Sequence, residues 1–208
     1  MLGEQDLLDE LLGEAQARHL LGPGDPAAHR QHAEAFGRVL QERGRLPARI
    51  VDLGSGAGLP GLPLAALSPE SELVLVDRRT ARTDWLRRAV GRLGWTDRVR
   101  VLAGEADELG RGVWREWADV VVARAFGAPA VTAELARAFV RDGGVAVVSE
   151  PPGAREEGRW PERGLRALGW GPVEHVGSEP AFVVLTASGP CPAAVPRRAN
   201  HIQRRPAF

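Results

Sequence analysis

Three glycines, Gly54, Gly56 and Gly58, follow an apolar run at two-residue spacing, and Asp52 stands two residues ahead of the first, in Val51-Asp-Leu-Gly-Ser-Gly-Ala-Gly-Leu-Pro-Gly61. Glycine lets a backbone turn sharply and lie close to a ligand that a Cβ would exclude. Pro60 stands where a helix can begin, because the N–H that proline lacks would be unpaired there anyway. A second acid, Asp77, closes the apolar run ELVLVD at 72–77. A carboxylate at the end of the strand that follows a glycine-rich turn suits the paired hydroxyls of a ribose. The chemistry written in this spacing is recognition of a nucleoside-bearing cofactor.

Two cofactors fit. Gly56-x-Gly58-x-x-Gly61 reads as a dinucleotide fingerprint with Asp77 on the ribose. The frame Asp52-x-Gly54-x-Gly56-x-Gly58 reads as a site for S-adenosylmethionine, with Ser55 and Leu59 in the same turn and Asp77 and Arg78 at the end of the next run. Asp52 favours the methyl donor, whose amino-acid end is cationic, over a pyrophosphate that would repel it. A tight strand–helix turn that binds nothing is the plainer alternative. Ala106-Asp107, after RVRVLAGE, reads either as the adenine side of the site or as the start of a helix. Arg124 follows DVVVA at the same edge and faces the space an acceptor needs, a surface ion pair being its alternative. Glu150-Pro151-Pro152 imitates the acid-Pro-Pro-aromatic element of amino-methylating enzymes, but Gly153 replaces the aromatic, and the segment reads as a turn.

The elements that must position these residues are legible from periodicity. IVDL (50–53), ELVLVD (72–77), RVRVLA (98–103), DVVVA (119–123) and GVAVVSE (144–150) are short, Val-rich runs separated by helical segments such as 80–93. Strands alternating with helices predict a mostly parallel central sheet with helices on both faces, a Rossmann-like α/β fold. PVEHV (172–176) and AFVVLTA (181–187) read as two closing strands joined by GSEP. Residues 3–19 and 27–43 carry apolar stripes of helical period, including Leu8, Leu11 and Leu12 in one and Phe36, Val39 and Leu40 in the other. The predicted organisation is an N-terminal helical extension over 1–45, a catalytic domain over 46–190 and an irregular basic C-terminal tail over 191–208.

Composition limits the remaining choices. A chain of 208 residues can bury a core without disulfide or metal staples, and Cys191 is its only cysteine. The five histidines are scattered, so no metal site is expected. The N-terminal stretch is acidic, lacks the pattern of a signal peptide, and no apolar run has the length of a membrane span. A cytoplasmic, soluble monomer is expected. The 27 basic residues, all arginine, balance 27 acids, yet the chain beyond Pro180 carries bases and no acids. Arg197, Arg198, Arg204 and Arg205 in that tail are candidates for RNA phosphate contact, and Arg78, Arg79, Arg82, Arg87, Arg88 and Arg92 read either as a second basic patch or as a solvated helix face.

VDLGSGAGLPGLPLA (51–65), LVDRRTARTDWLRRAVGRLG (75–94), GEADELG (104–110) and VVARAFGAPAVTAELARAFVRDGG (121–144) together resemble the bacterial 16S ribosomal RNA guanine-N7 methyltransferases, also called glucose-inhibited division protein B. The resemblance covers about residues 45–150, and the Leu-Pro-Gly continuation and the Ala-Arg-Ala at 123–125 are its specific marks. It implies a class I methyltransferase using S-adenosylmethionine, with Gly54 and Leu59 lining the donor pocket, Ala106 and Asp107 beside the adenine, and Arg124 at the donor or the incoming base. The implied partner is small-subunit ribosomal RNA or an assembling 30S subunit. The chain departs from the family pattern in its N-terminal Asn-Leu-Thr element, in a lysine-glycine replaced by SEPPG at 149–153, and in a tail that reads RRANHIQRRPAF. A methyltransferase for a small metabolite and a non-catalytic donor-binding module are the competing functions.

Overall fold

The computed structural model describes residues 3–44, 48–153 and 158–208. Its strands are β1 Arg49–Leu53, β2 Glu72–Asp77, β3 Val99–Ala103, β4 Ala118–Ala123, β5 Val140–Ser149, β6 Trp170–Val176 and β7 Phe182–Ala187. The helices are α1 Glu4–Ala17, α2 Pro26–Glu42, α3 Gly61–Leu67, α4 Thr80–Arg92, α5 Ala106–Leu109, α6 Pro129–Phe139, α7 Glu162–Ala167 and α8 Ala199–Arg204. The strands form one sheet in the order β3-β2-β1-β4-β5-β7-β6. β1 to β5 run parallel, and β7 is inserted antiparallel between β5 and β6. The mostly parallel α/β sheet expected from the alternating runs is the one observed.

Period-2 alternation sends adjacent strand residues to opposite faces. Ile50, Leu73, Leu75, Val120, Val122, Val145 and Val147 lie in one buried cluster with apolar residues of α1, α2, α3 and α4. Val51, Leu53, Val74, Val76, Val121, Ala146 and Val148 lie in a second, with residues of α5, α6, α7 and α8. A sheet covered on both faces needs apolar residues at consecutive positions, which is why these strands read as unbroken Val-rich runs. β5 starts earlier than its apolar run, at Val140, and its pairing with β4 shifts register between Ala118 and Val120. The polar Arg141 and Asp142 at this start hid the extension.

The N-terminal helices belong to the core. Asp25 accepts a hydrogen bond from the Ala27 N–H at 3.0 Å and Pro26 opens the helix, so α2 starts on a side-chain cap followed by a residue with no N–H to lose. The Phe36 ring meets Phe182 of β7 edge-on, with centroids 4.8 Å apart. The expected boundary between extension and domain, at 45/46, lies outside the described residues. The segment read as an irregular tail instead contains α8 and packs against the second cluster through Cys191, Val195 and Ile202. Three apolar side chains dispersed among arginines gave too weak a periodicity to reveal it.

If α1 and α2 fold as part of the domain, removing the Phe36 ring destabilises the whole of it. Phe36→Ala is expected to cost about 3–5 kcal/mol in urea unfolding, as for other buried aromatic truncations. Far-UV dichroism and tryptophan fluorescence should report a single coincident transition.

Candidate functional site

The glycine loop after β1 is tied to the end of β2. The N–H groups of Gly54 and Ser55 donate to the Val76 carbonyl at 2.8 and 3.0 Å, and that of Gly56 donates to Asp77 Oδ2 at 3.1 Å. Three successive donors can converge in this way because Gly54 and Gly56 adopt left-handed φ values of +72° and +56°. The other Asp77 oxygen, Oδ1, accepts from the Arg79 N–H at 2.9 Å, while Arg82 Nη1 lies 3.3 Å from Oδ2. Asp77 is buried yet lines a cavity of about 340 Å³ at the carboxyl edge of the sheet.

This cavity gathers much of the sequence-predicted site. Gly54, Asp77, Arg78, Ala106 and Asp107 all line it, with Val76 and Phe126 supplying apolar surface. A Cβ on Gly54 would come within 2.6 Å of Phe126 Cδ2, so glycine lets that ring close on the loop. Asp107 pairs with Arg111 at 2.9 Å, and Arg78 with Glu105 at 3.4 Å. Ala106 and Asp107 also open α5, as the helix-start reading of that segment has it. A cavity lined by apolar side chains together with the Asp77, Glu105 and Asp107 carboxylates suits a nucleoside.

Other predicted residues lie outside the cavity lining. Leu59 packs with Leu12 and Ala33, since an apolar side chain finds the N-terminal helices behind the loop. The Ser55 hydroxyl donates to the Asp52 carbonyl at 3.0 Å and is buried. Gly58 is tucked against Leu62, whose Cδ1 lies 2.4 Å from where a Cβ would sit. Asp52 is fully buried beneath the loop, where its Oδ2 accepts the Gly61 N–H at the start of α3 at 3.0 Å and its Oδ1 has no partner among the described residues. Burial pushes its carboxyl up to about 7, against the Gly61 hydrogen bond that favours the charged form. Arg124, at the end of β4, meets His29 Nδ1 of α2 at 2.8 Å. Burial lowers its pKa from the ordinary guanidinium value, and the nearby Asp52 charge opposes that shift.

The basic patches divide. On and beside α4, Arg82 pairs with Asp77, Arg87 with Asp84, and Arg92 with both Glu10 and Glu14. Most of that helix is therefore a neutralised, solvated face. In the C-terminal segment, Arg197 is committed to the buried Glu134, which takes its backbone N–H at 2.9 Å and its Nε at 2.8 Å. Arg198, Arg204 and Arg205 are exposed. Sequence reasoning missed that α8 itself walls the cavity through Ala199, Ile202 and Gln203. Ile202, a lone apolar residue in a basic stretch, was the available signal.

The Asp52 environment has a pH signature. Its carboxyl keeps a proton in the folded chain up to about pH 7 but in the unfolded chain only to about 3.8. The stability it contributes is therefore complete below about pH 4 and lost as pH rises through 7. Asp52→Asn, which can still accept the Gly61 N–H, should remove that component. The difference in urea midpoint between the two proteins is expected to change between pH 4 and 7 in favour of the variant, and a constant difference would contradict the buried, partly unpaired geometry.

Known proteins share both sequence and architecture with this chain. The model of the GidB family, rRNA small subunit methyltransferase G, matches residues 6–160. Ribosomal RNA small subunit methyltransferase G of Lactobacillus acidophilus is 30% identical over 179 residues, 82% of this chain and 72% of the relative. That of Deinococcus radiodurans is 36% identical over 171 residues, 77% of this chain and 66% of the relative. Among solved structures, an O-methyltransferase from Bacillus cereus in complex with SAH superposes with a TM-score of 0.62 at 19% identity, covering 88% of this chain and 90% of that one. At that identity the likeness speaks for the fold. With the family model spanning most of the chain and relatives matched over most of its length, the chain belongs to the GidB family of small-subunit ribosomal RNA methyltransferases.

Proposed function

We propose that this protein transfers a methyl group from S-adenosylmethionine to N7 of a guanine in 16S small-subunit ribosomal RNA. The observation that carries the reading is the cavity at the carboxyl edge, with Asp77 at the end of β2 and the glycine loop folded onto it. The residues fit the donor. Asp77 would take the ribose hydroxyls, Ala106 and Asp107 would flank the adenine, and Gly54 would let the chain approach without a side chain. Asp52 would act from beneath the loop, holding the Gly61 N–H, and the cationic end of the donor would draw its raised carboxyl toward the charged form.

The bound donor supplies a methyl group already activated on a sulfonium. Guanine N7 holds the lone pair that accepts it, so no proton has to leave first and no general base is required of the chain. What remains for the protein is alignment, which can contribute about 7–11 kcal/mol, and exclusion of water from the approach. Arg124 has a positioning role in this reading: it stands at the end of β4, half-buried and oriented by His29. Its guanidinium can donate to guanine O6, but its positive charge would oppose the charge arising on the methylated ring, so it orients the base and does not activate it. Arg198, Arg204 and Arg205 would supply phosphate contacts, whereas Arg197 is held by Glu134.

The test is transfer of radiolabelled methyl to naked small-subunit rRNA and to intact subunits from cells lacking this enzyme. Label mapping to N7 of one guanine is the expected result; no label in either RNA, with donor binding intact, would move the acceptor to a small metabolite. Asp77→Ala is expected to weaken S-adenosylhomocysteine binding by roughly tenfold or more, since a hydrogen bond to a charged group contributes about 1.5–3 kcal/mol. Calorimetric titration reads this, alongside a melting curve showing that the variant is folded.

A further inference from the structure

The C-terminal segment is pinned at both ends of a very short helix. Ahead of α8, Arg197 embraces the buried Glu134, Arg115 donates to the carbonyls of Cys191, Pro192 and Val195, and Arg111 to that of Pro196. Behind it, Phe208 lies so close to α7 that a Cβ on Gly164 would come within 2.3 Å of its Cδ1. Between these anchors α8 spans only Ala199–Arg204. A helix of this length has little stability of its own and takes its order from what it packs on. Its inner side buries Ile202 in the second apolar cluster and lines the cavity through Ala199, Ile202 and Gln203.

The same segment faces outward with a different chemistry. Arg198, Arg204 and Arg205 are exposed; Arg198 shares a surface cleft with Glu105, Asp107 and Glu108, while the sequence around Arg204 and Arg205 carries no acid. Arg111 also joins the two sides of the cavity, since one nitrogen pairs with Asp107 at 2.9 Å and the other reaches the Pro196 carbonyl at 3.4 Å. A ligand that fills the cavity therefore adds to the surface that α8, anchored by Ile202, orders against. Ordering α8 fixes the spacing of the outer arginines.

We propose that residues 197–208 form a two-sided strap, closing on the methyl donor with the inner face of α8 and holding rRNA phosphates with its outer arginines, so that donor and RNA each raise the affinity for the other. This rests on the rRNA methyltransferase reading above. Shared ordering couples the two sites without any larger rearrangement, and linkage requires the coupling factor to be identical in both directions.

The experiment uses the full chain with S-adenosylhomocysteine and small-subunit rRNA as probes. Hydrogen exchange should show S-adenosylhomocysteine alone slowing the amides of 199–205 together with those of 104–107. Its Kd should fall at least about fivefold when rRNA is bound, and the rRNA Kd should fall by the same factor at saturating S-adenosylhomocysteine. The double variant Arg204→Gln/Arg205→Gln should bring that factor toward one. Protection confined to 104–107, a factor of one with both ligands demonstrably bound, or a full factor in the double variant would each overturn the strap. If rRNA fails to bind at all, the rRNA reading falls and the coupling with it, while the exchange result separately reports whether α8 closes on the donor.

Discussion

The site depends on one constraint: the loop leaving β1 must direct its first N–H groups at the end of β2. Gly54, Ser55 and Gly56 do so in succession, two of them to a backbone carbonyl and the third to the Asp77 carboxylate. A parallel sheet ends its strands at a common edge, where carbonyls and N–H groups point into space unless loops satisfy them. Here the loop satisfies them and, in doing so, turns Asp77 into a fixed point. The cavity and the entry to α4 are both placed relative to that carboxylate. Asp52 repeats the device one layer down by holding the Gly61 N–H, at the cost of a desolvated carboxyl.

The chain's zero net charge is compatible with nucleic-acid binding because its arginines serve two purposes. Many are structural: Arg137 is buried and donates to the carbonyls of Val140, Gly169 and Gly189, and Arg92 ties α4 to α1. Arginine suits such work, since its planar fork can satisfy several carbonyls at once while its face stacks on a ring, as Arg137 does on Trp170 at 5.6 Å. Net charge counts these buried and paired cations together with those that face solvent without an ion pair, and so understates how basic one surface can be.

What was legible in the sequence follows the same physics. Strands buried on both faces announce themselves as Val-rich runs, and glycines forced to positive φ announce the loop, so the parallel sheet, Gly54 and Asp77 were readable. Spacing does not say which side of a loop a side chain takes. Leu59 and Ser55 stand in the motif but turn inward, because burial against Leu12 or a hydrogen bond to the Asp52 carbonyl is available there. Arg197 and Arg198 are adjacent and chemically identical, yet one meets a buried carboxylate and the other meets solvent. Glu134 lies 63 positions earlier in the chain, a separation no local pattern can bridge. The wall formed by α8 was hidden for the same reason, its single apolar anchor being too sparse to show a period.

That wall also sets an order of events during synthesis. Domains emerge and fold from the N-terminus, and here the glycine loop, Asp77 and Asp107 can all be in place while residues 197–203 are still inside the ribosome that is making them. The cavity then lacks Ala199, Ile202 and Gln203, and Glu134 lacks the guanidinium that neutralises it. A nascent chain is thus left with an open site and an uncompensated buried carboxylate until residues 197–203 emerge. A product cut before Arg197 therefore carries the sheet without the wall that α8 gives the site.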